Sequence, residues 1–378
     1  MSAINAEVDS AVRSLFTVKD YFVAEEGAAE YSVAYQADSG EKFLRLLERL
    51  KAPDYSAQLY GDPDHATLSV LRNPPPEPHK EAIQLSTPSF LFLLTILSLL
   101  ATGYVVGSVF PSISPGAQAF EMGAAFVAAL TFLFVARYFV HRYMSERGMF
   151  SFVSYYLPNV PLFIALPTLY FLPTFGGVSF PVSPPSNRNK LFDFYLAGAL
   201  IMVAVAAVLA LLSAGTSVVL THAQYLAISS GNQTATIQTN PSLIQAAAIS
   251  LASPHVPPGG MLIFSPVEIA AWIALLFAFL NLIPAGLFDG GRMSLLAVGS
   301  RGTRVTSVVA GGLLLLTDLP DYWVVFLLVF LMAAFPVQGD TLDSITELSR
   351  SRRALFVLAV LLGLLCVPVP QSFATFGL

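Results

Sequence analysis

The stretch FLNLIPAGLFDGGRM, residues 279–293, sets Asn281, Pro284 and Asp289 into an otherwise apolar run. A carboxylate in apolar surroundings is costly unless a cation, a metal or a proton offsets its charge, so an intramembrane Asp marks a candidate site. Two chemistries fit these residue types. Asp289 could ligate a metal, or it could sit at the water boundary and pair with Arg292, three residues on. The residues alone leave both open.

The chain around this stretch is built for a bilayer. Of its 378 residues, 55% are hydrophobic and 11% charged, with a mean hydropathy of +0.68. Soluble domains carry about 25% charged residues, so the composition is that of an integral membrane protein. Nothing in the charge pattern points to nucleic acid. A span needs roughly 20 apolar residues, and suitable runs lie near 88–110, 118–140, 192–213, 266–288, 305–317, 322–336 and 354–370. The fifth and sixth are short and could form a re-entrant pair. The 19 Lys and Arg fall in the amino-terminal region or around residues 137–147, 188–190, 292–304 and 350–353, while 214–265 has none. With about seven spans and an inner amino terminus, every cation falls on one side, as the positive-inside rule requires.

Three further regions position the candidate site. Residues 1–74 read as a small soluble α+β domain, with strand alternation in EYSVAYQ, YSAQLYG and ATLSVLR and helical spacing in EKFLRLLERLK. A proline-rich linker, 75–87, joins this domain to the transmembrane part, 88–378. Residues 149–185 contain seven prolines, which deny a continuous helix. Irregular backbone at membrane depth must be buried in protein or line a wet cavity, so a re-entrant loop with strand-like pieces is expected, with Gly176 and Gly177 in a tight turn. The first twenty residues lack the apolar core of a signal peptide, so the amino terminus is expected to stay on the side of synthesis. Cys366 is the single cysteine, which excludes an intramolecular disulfide.

The pattern Asn281-x-x-Pro284-x-x-x-x-Asp289-Gly290-Gly291 resembles the second signature of the site-2 proteases, the intramembrane zinc metalloproteases of clan M50. RNKLFDFYLAGAL (188–200) resembles another element of the family, with Ala199 where a proline usually stands. SPVEIAAWIALLFAFLN (265–281) and LDSITELSRSRR (342–353) resemble the branch found in prokaryotes and plastids. The resemblance implies a polytopic α-helical membrane fold, a third zinc ligand at Asp289, and a substrate segment held as an extended strand near Asn281 and Pro284. It also implies an integral membrane location, here the prokaryotic plasma membrane with a cytoplasmic amino terminus. Asn281 has a simpler reading, as the cap of a broken helix.

The other half of that zinc site is missing. Active members carry His-Glu-x-x-His on a helix, two His for zinc and a Glu as general base. The five histidines here are His65, His79, His141, His222 and His255, and no such motif exists. One register puts Ala136–Val140 in its place; shifting by one puts Arg137–His141 there and restores only the second His. A catalytic zinc takes three protein ligands and an open position, and the sequence offers Asp289 and at most His141. No cofactor is therefore expected, zinc returning only if the family site were retained. Arg137 and Asp289 could instead form an ion pair that replaces the metal, with Asp289 a vestigial ligand; against this stands an interfacial Arg137 without a partner.

The resulting expectation is a proteolytically inactive homologue that binds or scaffolds a transmembrane polypeptide or partner membrane protein within membrane lipid. The alternative is an active zinc endopeptidase with atypical or partner-donated ligands. A transporter is disfavoured, because no further ionisable residues line up through the spans. Glu121 and Glu268 read as charges near helix starts, Asn232 as a weak glycosylation sequon, and Gly311-Gly312 as a packing contact or hinge.

Overall fold

The computed structural model describes residues 6–23, 28–51, 54–72, 86–109, 115–159, 173–221, 223, 241–252, 261–314 and 340–368. The linker 75–85, the sixth expected span (322–336), His79, His222, His255 and the Asn232 sequon lie outside them.

The amino-terminal region comprises α1 (Ala6–Leu15), β1 (Val18–Val23), β2 (Ala29–Val33), α2 (Ser39–Leu50), β3 (Tyr55–Asp62) and β4 (His65–Arg72). The strands form an antiparallel sheet in the order β1-β2-β4-β3. α2 buries Phe43, Leu46, Leu47 and Leu50 on one stripe, as helical spacing demands. The sequence reading placed α2, β2, β3 and β4 and missed α1 and β1. Strand β1 is largely exposed and shows no alternation to read.

The helices that follow are α3 (Thr87–Val109), α4 (Pro115–Gly148), α5 (Arg188–Ser213), α6 (Leu243–Ala252), α7 (Pro266–Leu282), α8 (Asp289–Leu314) and α9 (Arg350–Cys366). Among the described residues, α3, α4 and α5 are long and apolar enough to cross a membrane. The segment expected at 118–140 is part of a 34-residue helix, α4, whose last turns carry Arg142 and Arg147. α7 is buried from Glu268 to its end at Leu282 and packs on α4, α5 and α9. Such a position explains an apolar sequence without period.

Two expectations require correction. Residues 289–304, which fall between two expected spans, are not loop; they begin α8. Its backbone breaks at Gly299 (φ 74°, ψ 177°), and Ser294 meets Thr306 at 2.9 Å. Twelve residues of straight helix would span about 18 Å, so α8 folds back on itself. Among its described residues, the segment 214–265 holds a 3₁₀ turn, α6 and the pair β7 (Val218–Leu220) and β8 (Met261–Ile263). Gly176 and Gly177 do not form a tight turn. They lie inside β6 (Thr174–Pro181), which pairs antiparallel with β5 (Phe152–Pro158). Gly176 adopts φ +83° where the register shifts opposite Tyr156 and Pro158, a bulge that glycine tolerates.

Backbone hydrogen bonds of this hairpin are completed by its helical neighbours. Ser98 of α3 donates to the Pro173 carbonyl at 2.6 Å and accepts from the Asn159 amide at 3.0 Å. A short segment, 342–344, then ties the amino-terminal sheet to the hairpin exit. The Leu59 amide donates to the Leu342 carbonyl and the Ser344 amide to the Leu59 carbonyl, while the Leu342 and Asp343 amides donate to Pro185 and Ser186.

Candidate functional site

Pro284 ends α7, and the backbone groups freed there find side-chain partners. Thr306 donates to the Pro284 carbonyl at 2.9 Å and the Gly286 amide donates to Ser307 at 3.4 Å. Both partners come from the second half of α8, which is why the helix must fold back. Gly290 and Gly291 press the first turn of α8 onto this break; a methyl at either would fall on backbone carbonyls of residues 282–286. This close approach holds Asp289, 1% exposed, in the interior.

On α4, Arg137 and His141 are one helical turn apart and share a face. They are 1% and 0% exposed, whereas Tyr138 and Phe139 point outward at 39% and 61%. The structure brings Arg137 and Asp289 together. Nη2 of Arg137 donates to both carboxylate oxygens, at 2.8 and 2.9 Å, and Nη1 donates to the Gly177 carbonyl of β6 at 2.7 Å. One guanidinium thereby joins α4, α8 and the hairpin.

His141 is committed elsewhere. Its Nδ1 shares a hydrogen bond with Ser179 Oγ at 2.9 Å, and Ser179 in turn bonds Ser154 at 2.8 Å. Phe194 stacks on the ring at 4.1 Å. Among the described residues Nε2 has no hydrogen-bond partner, and it lies over Gly198, where a Cβ would collide with the imidazole. Asn281 is 3% exposed and donates through Nδ2 to the Phe277 carbonyl at 2.9 Å, one turn back in its own helix. Pro284 is half-buried and accepts only through its carbonyl.

These residues do not fit a zinc ion. The Asp289 oxygens already receive a cation, His141 Nδ1 is engaged by a hydroxyl, and its Nε2 is closed off by α5. Among the described residues, no group of three or more His, Cys, Asp or Glu could hold a metal.

Several contacts were not legible in the sequence. Arg292 leaves Asp289 to Arg137 and donates to Tyr195 Oη at 2.9 Å, with its guanidinium over the Phe180 ring at 4.6 Å. Asp193 pairs with Arg352 through two 2.7 Å bonds. Glu268 closes a capping box with Ser265 and also accepts from Ser217 at 2.6 Å. The S-P-x-E pattern before α7 signals that cap; no local pattern announces contacts between residues a hundred positions apart.

A groove of about 360 Å³ lies beside β5, between the start of α3 and the middle of α4, lined by Phe92, Tyr138, Phe152, Ser154 and Tyr156. Its apolar walls and open strand backbone could accept an extended chain.

Comparison with known proteins finds a family match that includes the Asp289 half of the site. The model of peptidase family M50 matches residues 162–317, from the hairpin to α8. A rice protein (Oryza sativa subsp. indica) described as "Probable zinc metalloprotease EGY2, chloroplastic" is 36% identical over 120 residues, 30% of this chain and 22% of that protein. Its Arabidopsis thaliana namesake is 35% identical over 120 residues, 30% of this chain and 21% of that protein. The matched region thus spans about a fifth of these relatives. No solved structure gives a significant match. The family match runs through the broken α7–α8 junction that carries Asp289, so that in this part the chain is similar to peptidase family M50, the site-2 proteases.

Proposed function

We propose that this chain is a non-proteolytic member of its family, which holds a membrane polypeptide instead of cutting it. The observation that carries this reading is the Arg137 guanidinium on both oxygens of Asp289. A buried carboxylate paired in this way needs no metal to offset its charge. Arg137 and His141 form the inward pair of their turn, which supports aligning them with the two family histidines. On that register Tyr138 stands where the general base would be. Asp289 is then a vestigial ligand, and the pair keeps α4, α8 and the hairpin in the arrangement a metal would otherwise fix.

The polypeptide would lie as a strand beside β5, with its side chains against Phe152 and Tyr156, and the broken helix at Asn281 and Pro284 would bound its path. In this reading the chain crosses the membrane about seven times with its amino-terminal domain on the inner side. That side is the cytoplasmic face of a prokaryotic plasma membrane, or its equivalent in a plastid. Reconstitution with a single-span reporter carrying an inner-leaflet helix break tests the proposal. A photo-crosslinker at Phe152 should capture uncut reporter, and no fragments should accumulate; fragments that vanish in Asp289→Ala would instead establish the active-protease alternative.

A further inference from the structure

The charge balance around Asp289 has a remainder. Arg137, Asp289 and Arg292 are all buried, at 1%, 1% and 4% exposure, and Asp289 already gives both of its oxygens to Arg137. Two guanidinium groups and one carboxylate leave a single positive charge in an apolar surround. The partners of Arg292 are neutral: Nη1 donates to Tyr195 Oη and Nε to the Leu287 carbonyl at 3.3 Å, with the guanidinium over Phe180. Among the described residues its Nη2 has no hydrogen-bond partner. A buried cation held only by neutral groups is expensive, and a charge-assisted bond to an anion offsets that cost.

Arg292 forms part of the wall of a cavity of about 240 Å³, with Phe180, Ser183, Leu191 and Leu287. One carboxylate, Asp340, also borders this cavity; it is exposed and makes no ion pair with Arg292. The volume admits a phosphate group with its near substituents. The aromatic faces behind Arg292 keep water from screening its charge, and a planar guanidinium suits phosphate oxygens.

We infer that this cavity is a phosphate-oxyanion site built on Arg292, placed to take the headgroup phosphate of an anionic phospholipid or a free phosphate ion. The inference does not depend on whether the protein cuts peptides, since Arg292 and the cavity exist on either reading.

The full chain in nanodiscs of phosphatidylcholine, with phosphatidylglycerol added in steps, gives the test, read as the thermal unfolding midpoint. A saturable rise with phosphatidylglycerol identifies the lipid as the source. A rise in pure phosphatidylcholine on addition of millimolar inorganic phosphate identifies the free ion. Arg292→Gln should reduce the apparent affinity by at least about tenfold. Because that variant could fail to fold, Leu287→Trp serves as a second one, filling the cavity while keeping every charge, and it should abolish the saturable response. Asp340→Asn should leave the response intact or strengthen it. No saturable response to either phosphate source, or an unchanged response in Leu287→Trp, would overturn the site.

Discussion

Two Arg–Asp pairs of nearly the same length sit in different solvents, one made through two guanidinium nitrogens and the other through Nη2 alone. Arg352 and Asp193 meet through two 2.7 Å bonds with side chains 28% and 23% exposed. Arg137 and Asp289 meet at 2.8 and 2.9 Å with both side chains 1% exposed. At the first pair water can replace a lost partner, whereas at the second nothing can. The difference teaches that the inner pair is required for neutrality, not for a large net gain in stability. Burying two ions costs about as much as their attraction returns, and the heavy penalty appears when only one is removed.

The largest effect should follow from splitting the buried pair. Arg137→Leu leaves Asp289 charged and alone, and should cost roughly 3–5 kcal/mol, read as loss of the folded, detergent-extractable fraction. The charge swap Arg137→Glu with Asp289→Arg should recover part of what each single change loses, although the bond to Gly177 would not return. Independent effects of the two changes would break the comparison. A smaller loss, about 1–3 kcal/mol, is expected from Gly290→Ala, because a methyl there meets the carbonyls of Leu282 and Ile283 and pushes Asp289 off its position. Its thermal midpoint should fall between those of Arg137→Leu and the unaltered protein.

Arg352→Ala should cost less than about 1 kcal/mol, and the loss should shrink further in high salt. A large, salt-independent loss would mean that the outer pair is as dry as the inner one. Removing both inner charges at once should cost far less than removing one: Arg137→Met with Asp289→Leu should lie within about 2 kcal/mol of the unaltered protein, on either side. This double variant sharpens the comparison most, because the single changes and the double change then differ in size by design.

How far the sequence reveals this architecture depends on the range of the interaction. α3 and α5 follow from the length of their apolar runs, and α2, β2, β3 and β4 from their periodicity. Strand β1 was missed because both its faces are exposed, and α8 was misread because the break at Gly299 and the polar residues Ser294, Thr303, Thr306 and Ser307 look like loop until their partners are known. Asp289 was marked as a candidate by the cost of burying it, and Arg137 by its place in the turn where the family motif should stand. The commitments of His141 to Ser179 and of Arg292 to Tyr195 could not be read, because each is a contact between distant segments without a local pattern. The strap at 342–344 is of the same kind, its backbone shared between the amino-terminal sheet and the hairpin exit.

The central claim is that a guanidinium occupies the charge partnership a metal would have. Zinc content, measured by mass spectrometry on protein purified in mild detergent without chelators, tests it most directly when Asp289→Ala is prepared in parallel. The account predicts near-zero zinc in both proteins. Near-stoichiometric zinc in the unaltered protein that disappears in Asp289→Ala would contradict it, because Asp289 would then be a working ligand and Arg137 would have to move away when the metal binds.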